Sequence, residues 1–198
     1  MISTNFIFVG FALSLIGSLS YVKDTLKGKT QPNRVTWFMW ALAPLIAFAA
    51  QINEGVGIQS LLTFAVGFGP LLILLASFAN SRSVWQITHF DVICGVLSLL
   101  GLLGWLVTRH GDTAIFFAIM ADGLAAVPTL RKSWIQPESE SSLVFLFASI
   151  NATITLLTIQ HFTFTNSAFA IYILALCATL FVLIRFKLGP RFSKRKIA

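Results

Sequence analysis

Apolar residues run along this chain in seven long blocks separated by short polar gaps. The blocks cover Phe6 to Val22, Val35 to Gln51, Val56 to Phe78, Ile87 to Val107, Thr113 to Leu130, Ser142 to Ile159 and Ser167 to Ile184. Each is close to the roughly 17–25 residues that carry a helix across a bilayer. The blocks are too long and too uniformly apolar for barrel strands, and lipid offers no partner for unpaired backbone groups, so seven transmembrane helices are predicted. They consume nearly the whole chain. The expectation is an all-α fold in one integral membrane domain over residues 1–198, surrounded by the lipid bilayer, with no second, soluble domain.

Charge sets the orientation. Thirteen of the fourteen Lys and Arg residues fall in alternate gaps or in the tail: Lys23, Lys27, Lys29 and Arg34, then Arg82, then Arg131 and Lys132, then the six from Arg185 to Lys196. Arg109 alone lies on the other side. Short loops follow the positive-inside rule, which puts the N-terminus outside and the C-terminus in the cytoplasm. Composition agrees, with 57% hydrophobic and 11% charged residues and a mean hydropathy of +0.85. The net charge of +7 is then a consequence of topology. The basic tail of residues 186–198 suits anionic lipid headgroups, at about 1 kcal/mol per charge; no aromatic or fold context points to nucleic acid. The first block lacks the basic n-region of a signal peptide. Cys94 and Cys177 lie in apolar segments, where thiols behave as small hydrophobes, so neither a disulfide nor a metal site is expected.

The chain also resembles itself. Gln31-Pro32, after the first block, returns as Gln136-Pro137 after the fifth, 105 positions later. Around each copy a helix ends in a basic patch, a short polar loop follows, and Ser or Thr leads into the next helix: YVKDTLKGKTQPNRVTW and AVPTLRKSWIQPESESS. Three helices per unit would leave the copies inverted, so a lone fourth helix is needed to make them parallel. The expected plan is 3+1+3: repeat one over residues 5–80, a linker helix over 86–108 and repeat two over 112–185.

With this helix count, topology and loop placement the chain resembles the PQ-loop superfamily, which includes the SWEET sugar facilitators, lysosomal amino-acid exporters and KDEL receptors. In repeat two, Pro128-Thr129 stands where that superfamily usually has Pro-Gln; repeat one has Tyr21-Val22-Lys23-Asp24 at the equivalent place. The resemblance implies parallel repeats about an axis normal to the membrane and a substrate site near the midplane. A transporter of a small polar solute by alternating access, with or without coupling to protons, is one reading; a non-transporting receptor or assembly protein of the same fold is the other. The similarly built transporters for vitamin precursors are a second comparison.

Polar residues within the apolar blocks are the candidate site. A charged group at mid-helix costs a few kcal/mol by insertion scales and calls for a purpose. Asp122, in IFFAIMADGLAAVP, lies ~13 Å from the external end of its helix, and Asn151, in FLFASINATITLL, at a similar depth. Together they are expected to hydrogen-bond a polar solute, with Asp122 also able to exchange a proton; the structural alternative is a bond between Asp122 and Asn151 or a nearby hydroxyl. Trp37 and Trp40 share one face of the second helix. Both are candidate substrate-binding residues, a paired aromatic face that can form a cavity wall or inner gate stacking on a ring-shaped solute; the alternative is an interfacial anchor, which Trp37, near the cytoplasmic edge, suits better than Trp40, one turn deeper. Pro44, Pro70 and Pro128 each free a backbone carbonyl and permit a hinge.

The remaining polar features read as structural. Asp91 and His89, at the start of the fourth helix, lie on different faces and suit a cap rather than a metal. Glu138 and Glu140 with Arg131 and Lys132 read as a solvated salt-bridge cluster. Gly10, Ser14, Gly17, Ser18, Gly67 and Gly69 are expected to let helices approach closely. H-E-x-x-H and G-x-S-x-G are absent from the sequence, and the seventh block lacks the lysine of a retinal pigment, so neither an enzyme nor a cofactor is expected. A homo-oligomer is compatible with such a bundle, and substrate, coupling ion and direction are not set by the sequence.

Overall fold

Helix is the only regular structure among the described residues, which in this computed structural model are 2–3, 5–53, 60–80, 85–107, 111–159 and 161–195. The elements are α1 (Phe6–Leu26), α2 (Arg34–Asn53), α3 (Ser60–Ala79), α4 (His89–Val107), α5 (Gly111–Ile135), α6 (Ser142–Thr158), α7 (Phe164–Phe186) and α8 (Leu188–Arg195), with a short 3-10 turn at Pro137–Ser139. Arg82, Arg109 and Lys196, which enter the charge count, lie outside the described residues, as do 56–59 at the start of the third block.

Local signals explain the ends. Gly28, at φ 73°, closes α1 in the left-handed region that glycine favours, and its N–H bonds to the Thr25 carbonyl at 2.9 Å. The Asn33 side chain caps α2 by accepting from the N–H groups of Val35 and Thr36 at 3.1 and 3.3 Å. Thr88 and Asp91 form a reciprocal capping box on α4: Asp91 Oδ2 accepts from Thr88 N at 2.7 Å, and Thr88 Oγ1 accepts from Asp91 N at 3.3 Å. Asp91 is thus a cap, as its position in the first turn suggests.

Two differences from the sequence reading concern length. α1 and α5 run on to Leu26 and Ile135, a turn beyond their apolar blocks, because nothing stops a helix until Gly28 and the Gln136-Pro137 turn. The tail is helical as well: in α8, Leu188 and Phe192 lie one turn apart, and Phe192 stacks on Trp134 of α5 with centroids 6.0 Å apart.

Packing directions follow from paired contacts. α1 and α6 are antiparallel, with Gly10 against Asn151 and Gly17 against Val144 and Phe147. α2 and α3 are antiparallel, with Gly67 against Leu45 and Ala41. α1 and α3 run parallel, Ser18 meeting Gly69 and Leu26 meeting Asn80. α5 and α7 are likewise parallel: Asp122 meets Tyr172, and the end of α5 at Trp134 meets Gly189 just beyond α7. α4 packs along α5 and more lightly on α2. Gly10, Gly17, Gly67 and Gly69 therefore do what small residues do in membrane packing, bringing backbones together.

α4 buries Asp91, Cys94, Ser98 and Leu102, one face at helical spacing, and exposes Val92, Ile93, Val96, Leu97, Leu100 and Leu103. Two helical segments are long and apolar enough to cross a membrane by themselves, His89–Val107 and Asn166–Phe186; Arg34–Ala49, Val66–Ala79 and Ser142–Thr158 are apolar but shorter.

A Cβ on Gly10 would overlap Asn151 Oδ1. Gly10→Ala is expected to cost about 1–3 kcal/mol of stability, and Asn151→Ala, by clearing the space, to recover most of it; thermal unfolding of the two single variants and the double variant checks the pairing.

Candidate functional site

The only carboxylate midway along a helix among the described residues is that of Asp122, and its partner is Tyr172 of α7. The phenol O–H donates to Asp122 Oδ2 at 2.7 Å. The Trp40 indole of α2 also acts on this carboxylate, yet the Trp40 Nε1–H stops short of hydrogen-bond geometry; the Cys177 thiol of α7 lies near enough to feel the Asp122 charge. Asp122 therefore joins α5 to α7 and lies beside α2. A bond from Asp122 to a nearby hydroxyl is the structural alternative that the sequence offered, and Tyr172 is that hydroxyl; which residue would supply it was not legible, since a lone tyrosine in an apolar helix reads as packing.

Asn151 does not pair with Asp122. It lies against Gly10 on the α1 side of α6, where the glycine leaves room for its amide. Depth alone, which put the two residues together, says nothing about which side of a helix each occupies.

Aromatic rings form the next layer. Trp37 and Trp40 meet edge to face with centroids 5.1 Å apart, and Phe145 of α6 lies 6.3 Å from each. Tyr21 of α1 is 5.0 Å from Trp37. Trp37 is only 2% exposed and belongs to the central core, so it is no interfacial anchor; the face that carries it turns toward α1 and α6 rather than to lipid. Trp40 is half-buried. Trp40 and Phe145 stand 105 positions apart, the same spacing as Gln31-Pro32 and Gln136-Pro137.

Toward the Gln-Pro loops the bundle is sealed by polar contacts. Lys132 Nζ and Glu140 Oε1 form an ion pair at 2.7 Å, with both side chains fully buried. Tyr21 donates to the other carboxylate oxygen of Glu140 at 2.5 Å, and Lys132 also donates to the Gln31 carbonyl. The two loops meet directly, Gln31 N–H bonding to Ser139 C=O at 2.9 Å. Below them Thr36 Oγ1 donates to the Ala125 carbonyl at 2.7 Å and accepts from Thr129 Oγ1 at 3.1 Å, tying α2 to α5. The expected solvated cluster is thus corrected: Glu140 and Lys132 are interior, while Glu138 and Arg131 stay exposed, with Arg131 over the Phe90 ring at 5.2 Å. Burial pushes the Lys132 ammonium below the usual lysine range, and the neighbouring Glu140 carboxylate opposes that shift.

Pro44, Pro70 and Pro128 all lie inside helices. Pro128 is closest to the site, between Asp122 and Lys132 on α5, next to Thr129 of the α2 to α5 tie. His, Cys, Asp and Glu side chains form no group of three suited to a metal ion among the described residues. No protein-family model matches the chain, and no curated protein or solved structure matches it either.

Proposed function

We propose that this chain is an integral membrane transporter of a small polar solute, working by alternating access, with Asp122 as the group that holds the solute or a coupled proton. Its seven long helices span the bilayer as two parallel three-helix units, α1 to α3 and α5 to α7, with α4 as the linker. The Gln-Pro loops 105 positions apart sit at matching places, each following the first helix of its unit, α1 and α5. Exchange of the units maps the α1 with α3 pairing onto α5 with α7, and the α1 with α6 pairing onto α5 with α2, as an axis normal to the membrane requires. The exposed apolar faces of α4 and the other helices speak for lipid around the bundle. Membership in the PQ-loop superfamily fits this arrangement.

The observation that carries the reading is Asp122, the lone mid-helix carboxylate among the described residues, bonded to Tyr172 across α5 and α7, next to a loop end that polar contacts between the two units hold closed. A bundle closed at one end by bonds between its units is one state that an alternating-access cycle requires. The seal consists of bonds between the two units, from Tyr21 to Glu140 and from Gln31 to Lys132 and Ser139, so opening it is a separation of units.

Opening can be tested without a known substrate. With Cys94 and Cys177 replaced, Ala126→Cys, in the sealed core, is expected to resist an impermeant thiol reagent applied from the cytoplasmic side. Glu140→Gln, which weakens the seal, is expected to raise that labelling several-fold. Unchanged protection in the folded variant would contradict a gate at this end. Orientation is checked separately: a reporter fused after Ala198 is expected to read cytoplasmic, and external activity would overturn the topology. α8 and the basic tail then lie at the cytoplasmic leaflet, beside anionic headgroups.

A further inference from the structure

We propose that the Asp122 site, read above as the transport site, takes an organic cation: a solute with one ammonium group, whose charge rests against Asp122 and whose carbon surface lies on Trp40. The first ground is charge balance. A carboxylate within a bundle of apolar helices is costly unless it is protonated or matched by a cation. The groups acting on Asp122 are Tyr172 and Trp40, both uncharged. Lys132, ten residues further along α5, is held by Glu140. The carboxylate therefore has a neutral donor on one oxygen and no cationic side chain beside it among the described residues.

The second ground is the wall. Aromatic rings attract an ammonium group through their quadrupole, and methyl or methylene groups pack well against them. Trp40 supplies the half-buried ring, held edge to face by Trp37 at 5.1 Å and by Phe145 at 6.3 Å, both of which are 2% exposed. A neutral polyol would need several donors and acceptors; the site offers a carboxylate and a phenol already bonded to each other. An anion would meet Asp122 head-on. The unmet Trp40 Nε1–H adds one preference, for an acceptor such as a hydroxyl on the same solute.

The test is binding to the full chain in nanodiscs at neutral pH, read by tryptophan fluorescence. The probes are choline, ethanolamine and benzylamine, paired with their uncharged counterparts 3,3-dimethylbutan-1-ol, ethylene glycol and benzyl alcohol. At least one amine is expected to saturate, about tenfold or more tighter than its neutral counterpart, a ratio typical of a desolvated cation against rings and a carboxylate. Asp122→Asn, shown folded by size-exclusion chromatography, is expected to erase that preference. Trp40→Phe should keep most of the binding and Trp40→Leu lose it, because the ring and not the volume is what the cation uses. Equal binding of charged and neutral partners, or no saturable response to any of the three amines, would overturn the proposal. Asp122-dependent flux of a neutral or anionic solute in proteoliposomes would refute the cation and leave the transporter reading standing; cation binding without flux of any solute would do the reverse.

Discussion

Replacing Asp122 by Asn is expected to reduce solute uptake about 30-fold or more while leaving the protein folded and inserted. That factor corresponds to the loss of a charge-assisted contact in a desolvated site, about 2 kcal/mol or more. Folding is expected to survive because Asn keeps the volume and can still accept from Tyr172, whose O–H now donates to Asp122 Oδ2 at 2.7 Å. Removing a charge from an apolar bundle is, if anything, stabilising. The pair of outcomes separates function from structure: a carboxylate that only tied α5 to α7 would show wild-type uptake in the Asn variant, with the same dependence on pH. Tyr172→Phe completes the comparison, since it deletes the donor and leaves the charge.

Breaking the buried ion pair is expected to have the largest effect on stability. Lys132 and Glu140 have no exposed side-chain surface and meet at 2.7 Å, so Lys132→Met strands a carboxylate and Glu140→Leu strands an ammonium. Each single change is expected to cost about 3–5 kcal/mol. Replacing both at once leaves no orphan charge, and the double variant is expected to recover most of that loss. Thermal unfolding of the two single variants and the double variant, in the same lipid nanodiscs, gives the coupling. If the losses simply add, the pair is not a closed unit and the seal at the Gln-Pro loops is held by something else. A stable double variant has a second use: with the lock removed and the fold kept, the Ala126→Cys position is expected to label from the cytoplasmic side.

The all-helical fold was legible because its signal is a long-range average, and apolar blocks survive any uncertainty of a few residues at their ends. Among the described residues two helices are long and apolar enough to cross a membrane by themselves. Asp122 was legible for a different reason, since a carboxylate in an apolar block costs too much to be incidental. Its partner was not. Tyr172 looks like any amphipathic aromatic on α7, and only the parallel packing of α5 and α7 brings the two together. Asn151 illustrates the opposite error: equal depth suggested a shared site, whereas its side of α6 faces Gly10.

The seal was hidden by its composition. Glu140 and Lys132 occur among other charges in a loop, where isolated charges are usually solvated; their burial depends on Tyr21 and Gln31, more than a hundred residues earlier in the chain. Trp37 was misread for a related reason. A tryptophan near a helix end is commonly an anchor, but here the loops fold over that end and make it interior. α8 escaped notice because eight residues with little apolar content are recognisable only once Phe192 has Trp134 to rest on.

Uptake into proteoliposomes loaded and challenged with a panel of labelled polar metabolites, organic cations included, tests the central claim most directly. The account predicts saturable flux of at least one solute, abolished by Asp122→Asn in vesicles that contain equal amounts of folded protein. Folded, oriented protein that carries none of them, or flux that is indifferent to Asp122, would contradict it.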